Sequence, residues 1–321
     1  MKRRDFFIWV VGSAAACSAG AQQSAAIIHL GWLARGQVPS SFRTFMDMLR
    51  RLGWVEGRNL VIERRLVDSG EGYEKAAAEL VAARPDVLFA PGGPDVAALL
   101  TKTRSIPIVF AAVSDPVALG FVQSLARPGG NVTGVSTMTP ELEVKQLELL
   151  RDLLPEAKRV TMLRDSQNPG SESRLGIDLN SASSLGLTLV RREIRSLADI
   201  EGAFSAAATD HDDAIHVEFS GTTLIERERI VGLASHYRIP AIYGVRPYAE
   251  AGGLLAYGPV YSENFKRAAI LADKIFRGAK PSELPVEEPT RFELVINGKT
   301  AKALGLTVPL PLLTRADEVI E

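Results

Sequence analysis

The chain has 321 residues, of which 46% are hydrophobic and 23% charged, and its formal net charge is −1. A mildly acidic balance makes no electrostatic case for nucleic acid or an anionic membrane surface as a partner. The single cysteine, Cys17, sits in the leader described next, so the rest of the chain has no thiol for catalysis, metal binding or a disulfide.

Residues 1–23 combine an address with a boundary. Arg3-Arg4 precede Phe6-Phe7, the stretch from Phe6 to Cys17 is free of charge, and Ala19-Gly20-Ala21 puts small residues where a signal peptidase reads them. This pattern predicts a cleavable export signal of the twin-arginine type, cut near Ala21, and a protein delivered to the periplasm. The apolar run is short and rich in Ala, Gly and Ser, whereas a membrane span needs roughly 20 strongly apolar residues. A lipid anchor at Cys17 is the alternative, although an aliphatic residue would be expected where Ala14 stands. The leader carries Lys2, Arg3, Arg4 and Asp5, net +2, so its removal takes the charge from −1 to −3.

About 300 mature residues exceed what one hydrophobic core organises, so two lobes are expected. Ala26 to Leu33, Leu60 to Leu66, Asp86 to Ala90 and Pro107 to Val113 read as short aliphatic strands. Between and after them, Phe42 to Leu52, Tyr73 to Ala83, Val96 to Thr103 and Val117 to Leu125 have helical apolar spacing. The second half repeats the plan. Its strands are Arg159 to Arg164, Leu187 to Glu193, Ala214 to Phe219 and Pro240 to Tyr243, and its helices are Glu141 to Leu153, Arg174 to Leu185, Ile200 to Ala207 and Leu224 to His236. Two local echoes support the duplication. Ser105-Ile106-Pro107-Ile108-Val109-Phe110 matches Arg238-Ile239-Pro240-Ala241-Ile242-Tyr243, and Leu52-Gly53-Trp54 matches Leu185-Gly186-Leu187. The expected fold is α/β, with two similar doubly wound parallel-sheet lobes facing each other.

Open parallel sheets bind ligands beyond the carboxyl ends of their strands. That rule nominates the loops holding Trp32 and Arg35, then Gly92, Gly93 and Pro94, then Ser114 and Asp115 in the first lobe. In the second lobe it nominates Asp165 and Asn168, then Glu218 and Thr222, then Tyr243 and Arg246. Gly92 and Gly93 let backbone N–H groups approach an anion, and the helix opening at Pro94 adds partial positive charge; an ordinary tight turn explains the same residues. Ser114-Asp115-Pro116 serves equally as an N-cap. Trp32 and Tyr243 either stack on a planar ligand or fill the core.

Catalytic constellations are missing from the sequence. There is no Gly-x-x-x-x-Gly-Lys, no Gly-x-Gly-x-x-Gly and no Gly-x-Ser-x-Gly. His211 and His216 flank Asp212-Asp213, but their spacing suits neither a helix nor a strand, so a loop leading into a strand is the reading rather than a metal site. No enzyme activity, metal or cofactor is expected.

Several segments carry a resemblance. Ile106 to Phe110, Ser114 to Val117 and Leu125-Ala126-Arg127-Pro128-Gly129-Gly130-Asn131-Val132-Thr133-Gly134 are similar to the ABC-transporter substrate-binding proteins related to periplasmic tryptophan- and tyrosine-binding proteins. Gly53 to Asn59, Ile239 to Gly244, Glu250 to Leu254, Phe292 to Asn297 and Lys299 to Leu306 extend the likeness over the mature chain. The resemblance implies a type I periplasmic binding protein, monomeric and bilobal, that closes on a small solute and delivers it to an ABC permease and its ATPase subunits. A ligand-sensing subunit of a signalling receptor is the alternative. The lobes would comprise 24–137 plus 254–288 and 138–253 plus 289–321, with crossings near Thr137, Gly252 and Pro289. An amino acid or an aromatic or branched carboxylate would be the ligand, its anionic group on the amides near Gly92, Gly93 and Ser114. Asp165 or Glu218 would face a cationic group, Arg35 or Arg246 would add charge, and Trp32 and Tyr243 would form flat walls.

Overall fold

Alternation along the first strand sets the layers of the N-terminal lobe. In β1 (Ile28–Arg35), the residues Ile28, Leu30, Trp32 and Ala34 face one way and Leu33 the other, and all of these are buried. The computed structural model describes residues 27–36, 40–67, 72–137, 139–166, 168 and 179–321. The expected leader at 1–23, and residues 174–178 of the expected helix from Arg174 to Leu185, lie outside the described residues.

The lobe continues through α1 (Ser40–Arg51), β2 (Leu60–Val67), α2 (Gly72–Ala82), β3 (Val87–Gly92), α3 (Gly93–Lys102), β4 (Ile108–Val113) and β5 (Val132–Ser136). Its strands form one parallel sheet in the order β2-β1-β3-β4-β5. The region from Val117 to Leu125, expected to be helical, is instead a series of turns. Asp115 Oδ1 accepts from the Ala118 N–H (2.9 Å), Gly120 turns the chain with φ +68°, and the Gln123 N–H then bonds the Pro128 carbonyl (2.9 Å).

The second lobe holds α4 (Thr139–Leu153), β6 (Arg159–Asp165), β7 (Thr188–Ile194), α5 (Leu197–Thr209), β8 (Ala214–Val217), α6 (Gly221–Ile225), α7 (Arg227–Tyr237), β9 (Ala241–Tyr243), α8 (Arg246–Glu250) and β10 (Leu255–Pro259). The chain then returns to the first lobe as α9 (Tyr261–Phe276), whose Phe265, Ala268, Ala269, Leu271, Ala272 and Ile275 pack against the β1 face that carries Trp32. It closes in the second lobe with β11 (Phe292–Asn297), α10 (Gly298–Leu304), α11 (Leu310–Arg315) and β12 (Glu318–Ile320). The second sheet runs β12-β11-β10-β9-β8-β6-β7, with only the β10–β11 pair antiparallel.

Numbered from its first strand, each lobe has the order 2-1-3-4-5, so the two are copies of one doubly wound plan. The sequence echoes fall at matching places. Ile108–Val113 and Ala241–Tyr243 are the fourth strand of their lobes, while Gly53 (φ +99°) and Gly186 (φ +73°) end the helical stretch before the second strand. One expected boundary is corrected: the second crossing lies after Pro259, not near Gly252, because Leu255 to Pro259 hydrogen-bond into the second sheet between β9 and β11. Gly258 is needed in that sheet, since a Cβ there would stand 1.8 Å from the Gly244 carbonyl oxygen.

Candidate functional site

The carboxyl ends of β1, β3 and β4 face those of β6, β8 and β9 across a cleft, and side chains already reach from wall to wall. Arg35 Nη1 donates to Thr222 Oγ1 at 2.5 Å, tying the end of β1 to α6 of the opposite lobe. Beside it, the Cα of Gly36 lies so near Ile225 that a Cβ would stand 2.9 Å from Ile225 Cδ1.

On the N-terminal wall, the glycine turn leading into α3 carries a carboxylate of its own. Asp95 is the third residue of α3, and its Oδ2 accepts the Gly92 N–H at 2.8 Å, as a residue in a helix's first turn commonly does. Asp95 is only 5% exposed, and its Oδ1, sealed from solvent, accepts no hydrogen bond among the described residues. Burial pushes its carboxyl up to about 7; the Gly92 N–H, the Tyr73 hydroxyl and the Arg35 guanidinium oppose that rise without cancelling it. The phenol of Tyr73, at the start of α2, is pushed up by burial and then by Asp95, with Arg35 opposing and Asp165 of the other lobe adding to the rise. Tyr261, at the start of α9, is raised by burial and by Asp95 as well. Tyr73, Asp95, Arg35, Tyr261 and Asp165 therefore share one electrostatic space at the junction of the lobes.

The C-terminal wall is a braced acid layer. Ser220 Oγ donates to Asp165 Oδ2 (2.8 Å) and also caps α6 by accepting the Thr223 N–H (3.1 Å). Arg164 Nε lies 3.5 Å from Glu218 Oε2 with both side chains 1% exposed, and Asn168 Nδ2 donates to Glu218 Oε1 at 3.4 Å. Phe219 meets Tyr261 edge-on, with centroids 5.4 Å apart, just after the crossing that follows Pro259.

Four expected placements are corrected. Trp32 has no exposed surface and stacks flat on Phe42, 3.9 Å away with an interplanar angle of 1°, because it shares the strand face of Leu30 and Ala34 that looks into the core. Tyr243 is likewise fully buried, stacked on Tyr248 at 4.8 Å inside the second lobe's core. Arg246 is held by Glu293 (Nε 2.8 Å, Nη2 2.6 Å) and Glu318 (Nη1 2.5 Å), so it fastens β11 and β12 instead of facing the cleft. The amide of Gly92, expected to receive a ligand's anion, is committed to Asp95. Gly93 and Pro94 form the first turn of α3; Ser114 at the end of β4 offers its carbonyl to Ser136 Oγ (2.9 Å), and Asp115 caps the following turn. Sequence reasoning missed Tyr73, Asp95, Ser220 and Tyr261. Asp95 and Ser220 stood inside nominated strand-end loops, whereas Tyr73 and Tyr261 carried no signal.

Among the described residues, no cluster of three or more His, Cys, Asp or Glu could hold a metal ion, and no helix is long and apolar enough to cross a membrane. His216 is buried and hydrogen-bonds through Nε2 to Gln146 Oε1 at 2.6 Å.

Residues 42–320 match the family model described as ABC transporter substrate binding protein. A tyrosine-binding protein of Clostridioides difficile (strain R20291) is 26% identical over 264 residues, covering 82% of this chain and 75% of that protein. A Streptococcus pneumoniae ABC domain solved in complex with L-Trp superposes with a TM-score of 0.84 at 25% identity, covering 92% of this chain and 100% of the other. The ligand-free, open structure of a Clostridium difficile substrate-binding protein with adhesive properties, also 25% identical and covering 92% of this chain and 99% of its own, gives only 0.64. At equal identity, this chain superposes better on the L-Trp complex than on the open, ligand-free structure.

Proposed function

This chain belongs to the ABC transporter substrate-binding protein family, and from that membership we propose that it is the solute receptor of an importer, closing its lobes on an amino acid and presenting it to a permease driven by ATPase subunits. The family consists of solute-binding proteins, not enzymes, and such proteins typically work outside the cytoplasm. The twin-arginine leader at 1–23 would bring the protein to the periplasm, where it would act as a monomer.

One observation supports the amino-acid reading: this chain superposes better on a relative holding L-Trp than on an open, ligand-free one. The wall-to-wall bond between Arg35 and Thr222 supports a closed state in which a small solute would be enclosed. Cationic Arg35 and acidic Asp95 and Asp165, which act on the same Tyr73 phenol, suit a zwitterion, which brings one charge of each sign. An aromatic or branched side chain would rest against Phe219 and Tyr261 instead of Trp32 and Tyr243.

Calorimetry with the twenty amino acids, paired with small-angle scattering, tests the reading. The expected result is micromolar binding, about 8 kcal/mol, by one or a few L-amino acids, with a smaller radius of gyration at saturation. Failure of every amino acid to bind at millimolar concentration, or binding with an unchanged scattering curve, would refute it.

A further inference from the structure

The N-terminal helix turn of an open α/β lobe ordinarily offers its free amides to a ligand's anion. Here the turn is closed by the chain itself, since Asp95 Oδ2 takes the Gly92 N–H. A ligand carboxylate brought to that turn would meet the Asp95 side chain in place of a free amide. What the turn presents instead is the buried Asp95 carboxyl, whose Oδ1 has no partner within hydrogen-bond geometry among the described residues, while the Tyr73 hydroxyl also acts on that carboxyl. Once that carboxyl ionises, the Tyr73 hydroxyl and the Gly92 N–H are the donors it has, and a charged donor from a ligand is the complement that would offset its burial.

From this geometry we propose that Asp95 is the cleft's anchor for a cationic nitrogen, making an ammonium or comparable cationic donor group the feature that the protein requires of its ligand. The proposal rests on the solute-receptor reading above and specifies which wall holds which end of the solute. Asp95 does this better than the C-terminal acids, because Asp165 already accepts from Ser220 and Glu218 is paired with Arg164. Arg35, nearby and directed across the cleft to Thr222, is then the group left for a ligand's carboxylate.

The assignment carries a proton. The charged and titratable groups facing Asp95 are Arg35 of β1, Tyr73 of α2, Tyr261 of α9 and, through Tyr73, Asp165 of β6. Burial holds the empty Asp95 neutral up to a pH of about 7, whereas a docked ammonium needs it charged, so binding expels the proton. Affinity should rise with pH toward about 7 and level off above it, by at most tenfold per pH unit because one proton is involved.

The test titrates wild-type protein and Asp95→Asn by calorimetry at several values between pH 5.5 and 8, with circular dichroism as the control for folding. Probes are L-tryptophan and L-tyrosine, the carboxylate-free amines tryptamine and tyramine, and the amine-free acids indole-3-propionate and 4-hydroxyphenylpropionate. The proposal expects binding by amine-bearing probes, a loss of tenfold or more in folded Asp95→Asn, and a pH slope that this variant lacks. Binding by the amine-free acids alone, equal affinity in Asp95→Asn, or no binding by any amine-bearing probe overturns it. Amines binding where amino acids fail would keep the anchor and refute the amino-acid reading; amino acids binding Asp95→Asn unchanged would do the reverse. Should Asp95→Asn fail to fold, Asp95→Glu and the pH slope of the wild type alone decide: a flat slope from pH 5.5 to 8 sinks the assignment.

Discussion

Replacing Asp95 by asparagine should change how the empty protein's stability depends on pH. In the folded state burial lifts this carboxyl from 3.8 to about 7. Asparagine keeps an oxygen for the Gly92 N–H but cannot ionise. Because the folded-state value is raised for an acid, the folded chain holds a proton that the unfolded chain has released throughout the window from about 4 to 7. Stability from this group is therefore complete below pH 4 and is lost as pH rises through that window. At 1.36 kcal/mol per pH unit, the full loss is roughly 4 kcal/mol, an order-of-magnitude figure for a side chain only 5% exposed. Urea unfolding followed by tryptophan fluorescence suits the measurement, since Trp32 and Trp54, the tryptophans outside the leader, both lie in the lobe that holds Asp95. Subtracting wild type from Asp95→Asn at each pH cancels every other titration. The difference should move in favour of the variant by about 2–4 kcal/mol between pH 4.5 and 8. A difference constant to within about 0.5 kcal/mol would show that Asp95 titrates normally and that its site is wetter than its burial indicates.

Trp32→Ala should cost about 3–5 kcal/mol of stability in urea unfolding, as expected for a fully buried tryptophan, while the affinity of the folded protein for its amino acid changes less than tenfold. Converting Arg3 and Arg4 together to lysine should leave uncleaved precursor in the cytoplasm; normal export of that variant, followed by immunoblotting of cell fractions, would remove the twin-arginine assignment. Gly36, at φ +72°, faces Ile225 across the cleft, and asparagine tolerates that backbone but fills the gap, so Gly36→Asn should weaken binding several-fold by opposing closure, and Ile225→Ala should restore it in calorimetry.

The architecture was legible because its signals are local and repeated. The Ile-Pro strand entries at Ile106-Pro107 and Ile239-Pro240 and the helix-ending Gly53 and Gly186 stand at equivalent points of two lobes, and each depends only on neighbours in sequence. The site was harder because strand ends are where sequence stops predicting direction. Trp32 lies three residues before Arg35 at the cleft end of β1, and the two-residue period turns its ring toward α1 and α9, but nothing in Gly31-Trp32-Leu33 says which face looks inward. Arg246 reads as a cleft cation until Glu293 and Glu318, distant in sequence, are folded against it. The boundary near Gly252 erred for a similar cause: Leu255 to Pro259 is the fifth strand of its lobe, but its partner β11 enters only at Phe292.

Asp95 joins these threads, since the residue that spoils the turn for an anion also makes closure and recognition a single event. In an open cleft, water would solvate Oδ1 while Oδ2 keeps the Gly92 N–H, and the acid would ionise nearer its ordinary value. Closing the lobes strips that water, so the empty closed state must either protonate Asp95 or hold a buried charge faced by Arg35, which already bonds Thr222. A ligand cation removes the dilemma by supplying charge and donor together, and only in the closed state is that supply worth its low-dielectric strength. Solutes lacking such a group would leave the same penalty in place. Selectivity for a cationic nitrogen then follows from the cost of closing without one, more than from any contact that attracts it in the open cleft.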